Sequence, residues 1–191
     1  MSEYIFVRHA QTNGNLRERI HGYTNHSINN EGKQQAVRLV RELESLPIDV
    51  CFTSPMRRCI QTARILCAGR DIPIIIDPRL TERCYGEMEG KHFNHIDYEG
   101  FWGRDGCEVK YSGAETLSDI RSRVEEFIRD AESRFAGKTK LVITHGSVIR
   151  TIRGVHMGDD FDGDYSALGR TDNCGTCRIR NMRIGIDNLN G

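Results

Sequence analysis

Short apolar runs and longer amphipathic patterns alternate along the chain. Tyr4-Ile5-Phe6-Val7 is an apolar run between polar neighbours, a strand signal close to the start. Ala36, Leu39, Val40, Leu43 and Leu46 follow helical spacing and stop before Pro47, which predicts a helix. Val50-Cys51-Phe52-Thr53 reads as a second strand. Ser54-Pro55 then offers an N-cap with proline at the first helical position. Met56, Cys59, Ile60, Ala63, Leu66 and Cys67 form the apolar face of the helix behind it. Residues 72–76, ending in three isoleucines, predict another strand. Thr116-x-x-Asp119 resembles a capping box and opens a helix carrying Leu117, Ile120, Val124, Phe127, Ile128, Ala131 and Phe135. Residues 140–144 predict a strand and residues 146–154 a short helix. The weak alternation of residues 176–186 suits a last strand or hairpin.

Strand and helix in turn imply an α/β fold: a three-layer α/β/α sandwich around a mostly parallel central sheet. Ligands of such folds sit beyond the carboxyl ends of the strands. The pattern dissolves between residues 84 and 113 into glycines, aromatics and charges. That stretch is too long for a plain connection and is expected to be a functional excursion or lid. No repeat or linker interrupts the chain, so residues 1–191 are read as one domain.

Composition narrows the function. The chain has 191 residues, and its 27 basic and 27 acidic side chains cancel. A balanced charge argues against a broad nucleic-acid footprint or a membrane-surface helix. The longest apolar runs are far short of the ~20 residues that span a bilayer, and no basic segment with a long apolar stretch opens the chain. The expectation is a soluble, cytoplasmic protein with no nucleic-acid or membrane partner. Seven cysteines are scattered without a repeat, which fits reduced thiols. Cys174-Gly-Thr-Cys177 lacks a second ligand pair, so packed thiols are the preferred reading over a metal or redox site.

Three strand ends carry similar polar groups. The first gives Arg8-His9, then Thr12 and Asn15. The second gives Thr53-Ser54, with Arg57 or Arg58 in the first helical turn. The third gives Thr144-His145-Gly146. If the strands are parallel, these ends share one rim. Guanidinium forks match phosphate oxygens, and helix N-termini favour anions. Each group alone reads as a cap, a solvated histidine or a surface charge; together they predict an anion site containing a nucleophile.

On these residues the chain resembles the histidine phosphatase superfamily, the phosphoglycerate-mutase-like proteins. Arg8-His9-Ala10 is similar to the family's Arg-His-Gly segment. "NHSINNEGKQQA", "SPMRRCIQTA", "LTERCYGEMEG", "SGAET" and "THGSVIR" resemble its later motifs, in family order. The resemblance implies that His9 is the nucleophile and forms a phosphohistidine. It implies that Arg8, Arg58 and His145 bind the phosphoryl oxygens, with hydrogen bonds from Asn15 and the Gly146 amide. It makes Glu82 the proton donor, although Glu87 and Glu89 stand near enough to remain alternatives. Thr12, His21 and Gly22 belong to the implied substrate-binding set. His21 departs from the family's frequent glutamine and is expected to be a surface histidine. No cofactor or metal is required, because arginines and histidines neutralise the charge.

The same groups serve hydrolysis and phosphoryl shuttling. A short chain with a small excursion favours a phosphatase acting on a small phosphorylated metabolite. Glu82-Arg83-Cys84-Tyr85-Gly86 is similar to a mutase stretch in which the arginine and tyrosine hold substrate, so Arg83 and Tyr85 are candidates to grip a carboxylate or second phosphate. A cofactor-dependent phosphoglycerate mutase is the alternative, and a catalytically silent phosphate-binding module the third reading. Phe93, Phe101, Trp102, His92 and His95 either line the pocket mouth or pack the excursion. A homodimer is compatible with the sequence.

Overall fold

A computed structural model describes residues 1–97, 101–102, 111–158 and 164–184. Among these, five strands form one sheet: β1 (Glu3–Arg8), β2 (Val50–Thr53), β3 (Ile74–Ile76), β4 (Thr139–Thr144) and β5 (Thr176–Arg180). Their order is β3-β2-β4-β1-β5. The first four are parallel, and β5 closes one edge antiparallel to β1. The α/β sandwich expected from the alternation is the fold observed.

Alternation along the strands explains the two covering layers. Ile5, Val7, Cys51, Leu141 and Ile143 pack on one face, beneath α2 (Asn30–Leu43) and α3 (Arg57–Leu66), through Leu39, Leu43, Cys59, Ala63 and Leu66. Tyr4, Phe6, Phe52 and Val142 point to the opposite face. There they meet α4 (Leu117–Arg134) and α5 (Gly146–Met157) through Ile120, Val124, Phe127, Ile149 and Ile152. A period of two in the strands therefore feeds both layers. The short α1 (Asn13–Leu16) follows β1.

The capping box at Thr116 and Asp119 is present, and both of its hydrogen bonds form. Other boundaries differ from the expectation. β3 starts at Ile74 and α5 runs on to Met157. β5 stops at Arg180, while residues 185–186 of the expected hairpin lie outside the described residues. Ser54 does not cap a helix that starts at Pro55. Met56 is the N-cap of α3, and the Ser54 hydroxyl is drawn to His145 instead. The Met56 amide still donates to Ser54 Oγ, but at 3.4 Å, against 2.8 Å from His145 Nε2.

Candidate active site

Register brings the catalytic candidates together. β1 and β4 pair with Arg8 opposite Thr144, so the next residues, His9 and His145, emerge side by side. The His9 amide donates to the Thr144 carbonyl at 2.9 Å, and the two imidazoles lie 5.2 Å apart edge to face. On the other side of β4, the Ser54 amide donates to the Ile143 carbonyl. β4 thus holds His145 between His9 and the start of α3, which supplies Arg58.

The tautomer of His9 follows from its partners. Nδ1 lies 2.8 Å from the Ala10 carbonyl oxygen, which can only accept. The proton is therefore on Nδ1, and Nε2 carries a lone pair. The turn is locked further: the Ala10 amide donates to Thr62 Oγ1, whose hydroxyl donates to the Arg58 carbonyl. Asn173 Nδ2 donates to the His9 carbonyl. Burial, then the charges of Arg58 and Arg8, hold the His9 pKa well below the ordinary imidazole value. His9 is neutral at pH 7, the form that can attack phosphorus.

Arg58 is fully buried and held at three points. Nη1 donates to the Thr24 carbonyl, Nη2 to the Gly22 carbonyl and Nε to His145 Nδ1 at 3.2 Å. The last bond makes His145 Nδ1 an acceptor. Its Nε2 therefore carries the proton and donates to Ser54 Oγ at 2.8 Å. Burial and the Arg58 charge hold the His145 pKa well below normal too.

The loop that holds Arg58 is itself clamped by Glu89. Glu89 Oε1 accepts from the Tyr23 and Tyr85 amides at 2.9 and 3.2 Å. Gly22 turns there with φ +46°, and a Cβ on it would sit 2.0 Å from Glu89 Oε1. Both its conformation and the approach of Glu89 demand glycine. This is the place of Gly22: it helps to hold a catalytic candidate through its carbonyl. Glu89 is spent on the clamp and does not line the cavity, and neither does Glu87.

A cavity of about 90 Å³ opens beside this cluster. Arg8, Glu82, Tyr85, Phe93, Ile96, Trp102, Gly146, Ser147, Arg150, Arg170 and Thr171 line it. Arg8 Nη1 donates to the Thr171 carbonyl, while its buried Nε has no protein partner and faces Gly146. The first amides of α5 also open here, since a helix start leaves them without intrahelical acceptors. Arg123 on α4 places Glu82, donating to the Arg79, Thr81 and Glu82 carbonyls while pairing with Glu115. A cationic donor, a helix N-terminus and a carboxyl group thus face one small space.

Several expected site residues stand elsewhere. Arg83 is buried beneath the excursion rather than in the cavity. Its guanidinium donates to the Glu115 and Phe101 carbonyls and lies 3.5 Å from the Phe101 ring centroid. The chain turns at Tyr85, the N-cap of the short turn Gly86–Met88, and Tyr85 faces the cavity while Arg83 is held in the interior. Tyr85 Oη shares a hydrogen bond with Ser147 Oγ. His21 is not on the surface. It is 7 % exposed, lies 3.0 Å from Thr12 Oγ1 and packs edge-on against His26. Burial and the Arg58 charge lower its pKa to about 3. Thr12 and Asn15 bond mainly to each other as the capping box of α1. Phe101 and Trp102 are core residues as well as neighbours of the cavity, Phe93 lines it, and His95 is exposed. His92 pairs with Glu18.

Sequence reading missed Ser147, Arg150, Arg170 and Thr171. Arg150 had a signal: it stands four residues after Gly146, hence on the same side of the helix. Arg170 had none, because only the tertiary path of the tail brings it to α5.

The chain is similar to known proteins over most of its length. The model of the histidine phosphatase superfamily, branch 1, matches residues 4–183. Phosphoserine phosphatase 1 of Hydrogenobacter thermophilus is 26 % identical over 172 residues, covering 87 % of this chain and 81 % of that one. A 2,3-bisphosphoglycerate-dependent phosphoglycerate mutase of Gloeobacter violaceus is 31 % identical over 167 residues, 80 % of this chain and 74 % of that one. Among solved structures, Bacillus stearothermophilus YhfR superimposes with a TM-score of 0.85 at 26 % identity, covering 98 % of this chain and 96 % of that one. The chain belongs to the histidine phosphatase superfamily.

Proposed function

We propose that the protein is a phosphomonoester hydrolase working through a phosphohistidine at His9, on a small phosphorylated metabolite. The observation that carries this reading is the Nδ1–H bond of His9 to the Ala10 carbonyl. It leaves the Nε2 lone pair as the reactive position, in a neutral ring among guanidinium groups. Nε2 attacks phosphorus, the P–O ester bond breaks, and Glu82 gives its proton to the leaving oxygen. Water then attacks the phosphohistidine, Glu82 takes a proton from it, and the N–P bond breaks to release phosphate. Arg8 and Arg58 stabilise the charge on the transferred group; one such arginine is worth about 10³–10⁵ in rate. His145 positions Arg58 by accepting its Nε–H at Nδ1.

A relative named a phosphoserine phosphatase, similar over most of the chain, supports hydrolysis. Tyr85 at the cavity and a 31 % identical relative named a mutase keep phosphoryl transfer to a second hydroxyl as the alternative. The test is release of p-nitrophenol from p-nitrophenyl phosphate in EDTA, with His9→Ala as control. Acid-labile phosphate on His9 and its loss in the variant are expected. Equal turnover by both proteins overturns the proposal. Dependence on 2,3-bisphosphoglycerate, with isomerised rather than free phosphate, assigns the mutase reaction.

A further inference from the structure

One side chain of the tail touches both the backbone of His9 and the side chain of Asn15. Asn173 Nδ2 donates to the His9 carbonyl at 2.9 Å and to Asn15 Oδ1 at 3.4 Å. The chemistry of these two acceptors fixes how Asn173 is turned. A peptide carbonyl only accepts. Asn15 Oδ1 also takes the Thr12 amide proton at 3.0 Å, so it too is an oxygen that accepts. Asn173 therefore presents its NH2 group to both, and both of its hydrogens are used.

The same bonds fix Asn15. Its Oδ1 accepts from the Thr12 amide, the Thr12 hydroxyl and Asn173. A hydroxyl can donate or accept and would serve either end of the amide. The orientation thus rests on the two groups that only donate there, the Thr12 amide and the Asn173 NH2. Asn173 could turn over only by setting its own oxygen against the His9 carbonyl. Asn15 Nδ2 is left pointing away from these donors, and it has no hydrogen-bond partner among the described residues. A free NH2 suits a phosphoryl oxygen; an amide oxygen in its place would repel one.

The tail is built to keep Asn173 there. Its turn closes with the Gly175 amide donating to the Asp172 carbonyl at 2.8 Å. Arg8 is bonded to this turn three times. Its amide donates to the Gly175 carbonyl, its carbonyl accepts from the Cys174 amide, and Nη1 donates to the Thr171 carbonyl. Cys174 has φ +58°, a left-handed conformation that a β-carbon disfavours. Such a conformation persists where the surroundings hold it. Here those contacts to Arg8 do so, with the Cys174 side chain packed on the layers around Leu39 and Ala36.

We propose that Asn173 is a positioning residue: it holds the His9 carbonyl and turns Asn15 so that NH2, not oxygen, is offered to the phosphoryl group. The proposal rests on the hydrolase reading for what is bound and deepens it, because neither the strand-end pattern nor the motifs single out Asn173.

Asn173→Asp keeps the shape of the side chain and removes both donors. It is compared with the parent, with Asn173→Ala, with Asn15→Ala and with Asn15→Ala combined with Asn173→Asp. Turnover of p-nitrophenyl phosphate in EDTA is measured together with calorimetric binding of inorganic phosphate. Both Asn173 variants are expected to lose about 10- to 100-fold in kcat/KM, the scale of a misplaced reacting group. Phosphate affinity is expected to fall about tenfold, the loss of one hydrogen bond to a charged group. A merely structural role lowers the folded fraction, which reduces apparent kcat and leaves the phosphate affinity of the folded protein unchanged. Unchanged affinity therefore overturns the proposal. In the Asn15→Ala background Asn173→Asp is expected to weaken phosphate binding much less, because the amide it turns is gone. An equal loss there marks repulsion by the new carboxylate and overturns the proposal as well. Aspartate suits a turn as asparagine does, so Asn173→Asp carries the test if a melting curve shows the alanine variant unfolded. Failure of the hydrolase reading looks different: the parent turns over no ester, while it still binds phosphate more tightly than the Asn173 variants.

Discussion

Arg58 Nε donates to His145 Nδ1 at 3.2 Å, and this bond decides which proton His145 carries. With Nδ1 accepting, the proton sits on Nε2 and is shared with Ser54. His9 has the opposite tautomer, with its proton on Nδ1. Two histidines 5.2 Å apart are thus held neutral in opposite tautomers by their neighbours. Imidazole ¹⁵N spectra are expected to show the two tautomers unchanged from pH 8 to pH 6, because burial and the arginines hold both pKa values well below 6.5. An imidazolium signal from either ring near pH 6.5 contradicts the assignment.

Replacement of Arg58 by lysine keeps a charge but loses the planar fork. An ammonium cannot bond the Gly22 and Thr24 carbonyls and His145 in the same geometry. Steady-state kinetics of Arg58→Lys are expected to show kcat/KM lower by about 10³, at the modest end for a phosphoryl-transfer arginine. A loss below tenfold would argue that Arg58 only supports the fold.

The buried His21 makes stability depend on pH. Unfolded, it takes up a proton near 6.5; folded, it does so only near pH 3. Between those values the unfolded chain binds the extra proton, so stability falls as pH drops through that window and is fully kept above it. His9 and His145 act in the same direction. Urea midpoints measured from pH 7 to pH 4 are expected to fall less steeply in His21→Gln than in the parent, by about one proton. Parallel curves would place His21 in contact with solvent.

Glu89 acts on Arg58 through the loop between them. Glu89→Ala removes the acceptor of the Tyr23 and Tyr85 amides, which loosens the carbonyls that grip Arg58. A kcat decrease of about 10- to 100-fold is expected from such misplacement. Glu89→Gln retains a carbonyl acceptor and should lose less. If the glutamine and alanine variants behave alike, charge rather than positioning is the role of Glu89.

Arg83 is a packing residue, and Arg83→Met should show it. The Glu115 and Phe101 carbonyls lose their donors, at a cost of about 1–3 kcal/mol each when left buried and unpaired. Thermal melting is expected to fall clearly while KM changes little once the protein is folded. A large KM increase at unchanged melting temperature would return Arg83 to the substrate.

Hydrophobic periodicity carried the sheet, the two helical layers and the convergence of Arg8, His9, His145 and either Arg57 or Arg58, because strand alternation, helix spacing and parallel strand ends are local rules; the family motif singled out Arg58. The motifs added the family. What the chain order could not convey is where side chains on irregular segments turn. Arg83 and Tyr85 are two residues apart and face the interior and the cavity. His21 looks solvated in sequence, and its ring centroid lies 6.5 Å from that of His9. Arg170 reaches α5 only because the tail folds back beside β1. Tautomers, too, follow from partners that are distant in the chain: Ser54 and Arg58 for His145. Local patterns decide which elements form, and packing between elements decides which polar groups meet, since a buried donor or acceptor must find its partner wherever the fold has placed one.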